Sequence, residues 1–129
     1  DERDEVKPYC NKYVISFISM IAPTSKERIV KIAAQAEGFI YCVSSLGVTG
    51  IREKIGSDAA HMIKSVKAVK DIPCAVGFGI STPEQAKAMA YISDGVIVGS
   101  AIVKIIERYG KKCIEPVKEY AGTIIEAIR

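Results

Sequence analysis

Apolar positions in this chain alternate between two patterns, short continuous runs and stripes spaced three to four residues apart. Residues 13–21 (YVISFISMI) are β-branched, aromatic and nearly unbroken in apolarity, which predicts a strand buried on both faces. Residues 39–43 (FIYCV), 74–77 (CAVG) and 95–98 (GVIV) give three more such runs. Between them the spacing turns helical. Residues 25–36 place Ile29, Val30, Ile32 and Ala33 on one stripe, with Ser25 as N-cap and Gly38 beyond the end. A helix from Ser57 or Asp58 to about Lys70 would bury Ala59, Met62, Ile63, Val66 and Val69. Residues 82–91 open on Thr82 as N-cap, Pro83 in the first helical position and Glu84-Gln85 in the first turn. Gly99-Ser100 starts a helix that Gly110 stops after Tyr109, and 112–128 is a final amphipathic helix. A short helix over 3–11, interrupted or opened near Pro8, comes first. Residues 44–57 (SSLGVTGIREKIGS) read as a long loop with three glycines.

The order is helix, then β-α-β-α-β-α-β-α-α. Strict alternation with doubly apolar strands predicts an α/β fold: a parallel sheet with right-handed crossovers. Two closures fit, a small open doubly wound sheet or part of a (β/α)8 barrel. A whole barrel takes about 250 residues, so four strands in 129 residues are half of one. The strands at 13–21 and 95–98 would be open apolar edges, which predicts self-association.

Composition narrows the function classes. With 49% hydrophobic and 26% charged residues the chain is not disordered, and no apolar run is long enough to span a membrane. The net charge of +3 is spread along the chain, with Lys and Arg interleaved with acids, which argues against a nucleic-acid partner. Cys10, Cys42, Cys74 and Cys113 stand 32, 32 and 39 residues apart, with no CxxC. They read as reduced cytoplasmic thiols, Cys42 and Cys74 buried in strands, rather than disulfides or zinc ligands. The opening Asp1-Glu2-Arg3-Asp4-Glu5 suits a helix first turn. With no Met and no secretory or transit segment, it reads as the start of an excerpted chain.

Ligands of parallel α/β proteins gather at the carboxyl ends of the strands. Here those ends are residues 20–23, Ser44-Ser45, Gly77-Phe78-Gly79 and Gly99-Ser100. Glycines let backbone N–H groups approach an anion, and Gly99-Ser100 aims a helix N-terminus at it. The last two turns therefore suggest a phosphate cup. Gly77-Phe78-Gly79-Ile80-Ser81-Thr82 misses the dinucleotide pattern GxGxxG at Thr82. Glu37, Asp71 and Asp94 all precede strands, on the far face; Glu53 and Asp58 read as a solvated edge and a helix cap. No acid–base pair can be assembled. No lysine lies inside a strand, which disfavours a Schiff-base aldolase. His61 is the only histidine and falls opposite its helix's apolar stripe, so metal and triad chemistries lack parts. Tyr41 shares a side with Phe39 and Val43, and the sequence leaves open whether that side faces a barrel interior or the helices. Loop 44–57, with Gly47, Gly50 and Gly56, has the length of a mobile lid.

Four segments taken together closely resemble the α subunit of tryptophan synthase: Tyr41-Cys42-Val43-Ser44, Gly47-Val48-Thr49-Gly50, residues 77–85 (GFGISTPEQ) and residues 99–104 (GSAIVK). Their order and spacing also match. The resemblance implies that residues 1–129 are the carboxyl-terminal half of a single TIM-barrel domain, strands five to eight, with an extra phosphate-site helix. It implies the tryptophan-biosynthetic cleavage of indole-3-glycerol phosphate to indole and glyceraldehyde 3-phosphate. By that resemblance Thr49, on the lid, orients a catalytic carboxylate; Gly50, Gly79, Gly99 and Ser100 hold the phosphate; Phe78 lines the site and Tyr41 its indole end. It also implies a β-subunit partner that carries pyridoxal phosphate, and no cofactor or metal in this chain. The family's catalytic Glu and Asp have no counterpart here, so the chain alone is expected to be inactive. A non-catalytic, self-associating phosphate-binding half-barrel is the alternative; another phosphate-binding barrel is disfavoured by GVTG.

Overall fold

The computed structural model of the chain describes residues 2–23, 26–43, 52–77 and 79–129, with the side chains of 2, 3 and 52–57 excepted. Helix α1 (Glu2–Lys12) leads to β1 (Ser19–Ile21), and three strand–helix repeats follow after α2 (Lys26–Gln35). They are β2 (Ile40–Val43) with α3 (Arg52–Lys67), β3 (Cys74–Gly77) with α4 (Pro83–Ala90), and β4 (Gly95–Ile97) with α5 (Ser100–Tyr109). A short 3₁₀ turn (Gly110–Lys112) joins α5 to α6 (Ile114–Ile128). All strands are parallel and lie in the order β1-β2-β3-β4.

That order decides between the two closures. A doubly wound sheet reverses its strand order part-way and so carries helices on both faces. Right-handed crossovers that always advance one strand put every crossover helix on the same face. The chain is singly wound, as a barrel is. The core accordingly lies on one side of the sheet: Ile21, Ile40, Cys42, Cys74 and Val76 meet Ile29, Ala33, Ala59, Met62, Ile63 and Val66 of α2 and α3. Residues paired in register point the same way, so Met20, Tyr41, Ala75 and Gly95 share the opposite, open face.

Four expectations are corrected. The strand predicted over 13–21 is confined to Ser19–Ile21, and it is not buried on both faces, since Met20 is 59% exposed. The preceding residues wind on from α1, with Tyr13 N–H donating to Tyr9 C=O and Ile15 N–H to Cys10 C=O. Tyr13, Val14 and Ile15 stay exposed. Pro8, which has no N–H to donate, is carried inside α1 rather than opening it. Helix α3 starts at Arg52, so Ser57 and Asp58 lie within it instead of capping it, and 52–57 is not loop. The same helix ends at Lys67, which leaves Val69 exposed. The cap placed at Ser25 lies outside the described residues. His61 is exposed, as its place opposite the apolar stripe requires.

The amino ends of the strands are fastened by charge. Asp94 N–H donates to Cys74 C=O at 2.9 Å, while Cys74 N–H donates to the Asp94 carboxylate at 2.8 Å. Lys67 Nζ sits 3.0 Å from the same carboxylate. The Cys74 N–H, and after it Lys67, hold the Asp94 carboxyl below its ordinary value of 3.8. Lys70 Nζ donates to Ala36 C=O at 2.6 Å and so satisfies a carbonyl just beyond α2. A carboxyl with a depressed folded-state pKa stabilises above its unfolded pKa and loses that contribution as pH falls through the folded one. Stability is therefore expected to drop below about pH 4. Asp94→Asn is expected to remove about 1 kcal/mol at neutral pH and flatten that acid slope. Urea unfolding between pH 3 and 7 checks both; equal acid slopes for the two proteins would refute the assignment.

Candidate functional site

The carboxyl ends of β3 and β4 leave the sheet at the same level, because Gly77 pairs with Ile97. Gly79 and Gly99 each follow that pair by two residues. Gly79 takes φ +75°, a left-handed conformation that favours glycine. The turn it belongs to is tied down at several points. The Ser81 and Thr82 N–H groups donate to Gln85 Oε1 at 2.9 and 3.2 Å, and Gln85 N–H donates back to Thr82 Oγ1 at 3.3 Å. This capping box was legible as Thr82-x-x-Gln85. Tyr120 Oη donates to Ser81 C=O at 3.0 Å from α6, and burial pushes the Tyr120 phenol up. Sequence reasoning missed that anchor, since a bond 39 residues apart leaves no local signal.

Gly99 is the N-cap of α5 and offers no side-chain cap. Its carbonyl receives the N–H groups of Ile102 and Val103 at 2.9 and 3.1 Å. The N–H groups of Ser100 and Ala101 lie at the open end of the helix, where its dipole is positive. A Cβ added at Gly99 would meet nothing within 4 Å. The arrangement can receive an anion.

Tyr41 is resolved onto the open face. Its ring lies over Gly77, where a methyl group would overlap Tyr41 Oη and approach Cζ to 2.7 Å, with Ile97 Cβ at 3.0 Å on the other side. The glycine is thus a seat for the phenol at the carboxyl end of the sheet. Thr49, Gly50 and Phe78 lie outside the described residues.

Among the described side chains, carboxylates stand elsewhere. Glu37, Asp71 and Asp94 precede β2, β3 and β4. Glu84, in the first turn of α4, is held below its ordinary range by its own backbone N–H and then by Thr82, as a helix cap. Cys42 and Cys74 are neighbouring buried thiols, and hydrogen bonding to Cys74 together with burial pushes Cys42 up. Among the described residues no cluster of His, Cys, Asp or Glu has the makings of a metal site, and no helix is long and apolar enough to cross a membrane.

The family model for the tryptophan synthase alpha chain matches residues 1–128. The chain belongs to that family. The tryptophan synthase alpha chain of Bacillus pumilus is 57% identical over 107 residues, which cover 83% of this chain and 40% of the relative. That of Bacillus licheniformis is 46% identical over 128 residues, 98% of this chain and 48% of the relative. Among solved structures, the tryptophan synthase alpha subunit of Campylobacter jejuni superposes with a TM-score of 0.81 at 33% identity, over 92% of this chain and 48% of that one. A Pyrococcus furiosus structure described as the tryptophan synthase a2b2 complex gives 0.78 at 32% identity, over 96% and 51%. The chain spans about half the length of the tryptophan synthase alpha chains it matches. The four-stranded sheet is accordingly half of a (β/α)8 barrel.

Proposed function

We propose that this chain is the carboxyl-terminal half of a single-domain tryptophan synthase α barrel and supplies its phosphate cup and lid. The reaction is the retro-aldol cleavage of indole-3-glycerol phosphate to indole and glyceraldehyde 3-phosphate, which makes the whole protein a carbon–carbon lyase. The observation that carries the reading is the pairing of two glycine turns at one level of the sheet, beside the open N-terminus of α5.

In this reading the N–H groups around Gly79, Gly99 and Ser100, with Gly50 from the lid, bind the phosphate through backbone donors and the helix dipole. Tyr41 and Phe78 line the indole end, and Thr49 orients a carboxylate. Breaking the carbon–carbon bond requires a base to take the proton of the substrate hydroxyl and an acid to protonate the indole carbon. Those groups, a Glu and an Asp, come from the amino-terminal half. The positions of Glu37, Asp71 and Asp94 at the amino ends of strands support that division. The whole protein works in the cytoplasm without a cofactor of its own, and its partner is the pyridoxal-phosphate β subunit.

Binding is tested with inorganic phosphate and indole-3-glycerol phosphate, followed by amide NMR shifts. Both are expected to move Gly79, Gly99 and Ser100. In Gly99→Asp the new Cβ meets nothing within 4 Å, so the fold is expected to persist while the carboxylate weakens phosphate binding by about tenfold or more. Unchanged affinity in a folded Gly99→Asp protein would sink the assignment.

A further inference from the structure

Helix α6 packs on both helices whose amino ends flank the cup, α4 behind its Thr82 cap and α5 behind Gly99. Its Tyr120 and Ile124 lie one turn apart on the same face. Ile124 is buried in the core and the Tyr120 side chain packs against that core, which gives the phenol a fixed base. From there it reaches a single peptide unit of the β3–α4 turn, the link from Ser81 to Thr82. Tyr120 Oη donates to the carbonyl of that unit at 3.0 Å, and its N–H donates to Gln85 Oε1 at 3.2 Å. With both ends bonded, the peptide plane cannot rotate without giving up a hydrogen bond. One residue earlier, the Ile80 side chain is buried. Gly79 precedes both and is exposed at φ +75°. A glycine populates several backbone wells and has no side chain to hold it in one, so its neighbours must do so. The Gln85 bonds arise within the same turn and helix, whereas the Tyr120 bond comes from 39 residues away.

We propose that Tyr120 is a positioning residue for phosphate binding: by holding the Ser81 carbonyl it keeps the Gly79 turn in the conformation that receives the anion. It acts through Ser81 rather than on the ligand, and the role rests on the phosphate reading of the cup. Without the hydroxyl the turn populates other conformations, and the apparent affinity falls by the fraction that stays competent. The expected size is that of one exposed neutral hydrogen bond, about fivefold.

The test titrates the 129-residue chain with inorganic phosphate, followed by amide NMR, beside Tyr120→Phe, which keeps the ring and removes only the hydroxyl. Asp94→Asn is the comparison, because it loosens the fold at the amino ends of the strands, away from the cup. Tyr120→Phe is expected to bind phosphate about fivefold more weakly, with helical circular dichroism unchanged. Its Gly79 amide should reach the same shift at saturation and exchange faster with solvent in the free chain. Asp94→Asn is expected to bind phosphate as the unmodified chain does. Equal affinity in a folded Tyr120→Phe protein would overturn the role of Tyr120 and leave the cup standing. An equal loss in Asp94→Asn would also overturn it, since affinity would then follow stability alone. No phosphate binding by the unmodified chain would overturn the cup and, with it, the role of Tyr120.

Discussion

Gly77→Ala is expected to lower the unfolding free energy by about 2 kcal/mol and to displace Tyr41 from the open face of the sheet. The new methyl would fall on the Tyr41 phenol while Ile97 closes the opposite side, so neither neighbour leaves it space. Of the two, the phenol yields more readily, being the far end of a side chain, whereas Ile97 is met at Cβ. The substitution thus acts on Tyr41 first. Tyr41→Phe is not expected to relieve it, because ring carbon Cζ would still lie 2.7 Å from the added methyl. Tyr41→Ala is expected to relieve it, leaving only its own modest cost as a half-buried side chain. A double-mutant cycle should show a favourable coupling on the order of 1–3 kcal/mol. Strict additivity of Gly77→Ala and Tyr41→Ala in urea unfolding would show that the two residues do not compete for the same space.

The course of the chain was readable where local signals and packing agree. Residues 74–77 form a strand as expected, with Pro73 before and a glycine turn after, because Cys74 and Val76 also find a helix layer to pack on. The Thr82–Gln85 box set the start of α4 for the same reason. Residues 13–18 were over-read. Their apolarity signals burial, yet Tyr13, Val14 and Ile15 meet no covering layer in this chain. Gly56 misled in the other direction: a helix-interior glycine costs about 1 kcal/mol relative to alanine, and the packing of Ala59, Met62 and Val66 outweighs that. The side to which Tyr41 points could not be read from alternation, which gives two faces without saying which one the helices take. Sequential strand order supplied the missing fact. Of the proposed cup, the two glycine turns after β3 and β4 were legible as turns, while the Tyr120 and Gln85 bonds that hold one of them depend on the tertiary fold.

The second large effect concerns catalysis, and it follows from what stands at each end of the strands. A phosphate site holds and orients a substrate but moves no proton. General acid–base groups contribute on the order of 10² to 10⁴ in rate, so on the proposed division of the barrel, with no such pair among the described residues at the carboxyl ends of the strands, this half is expected to bind indole-3-glycerol phosphate and leave it intact. Two of the carboxylates placed before strands have partners there: Asp94 is engaged by Cys74 and Lys67, and Asp71 lies 3.8 Å from Lys67.

The most direct measurement is indole release from indole-3-glycerol phosphate by this chain alone and after addition of a separately produced amino-terminal half-barrel. No release is expected from the chain alone, and a rise on the order of 10⁴-fold or more when the second half is added. Indole released by the chain alone at the rate of the combined halves would contradict the account, because it would put the acid and base within these 129 residues.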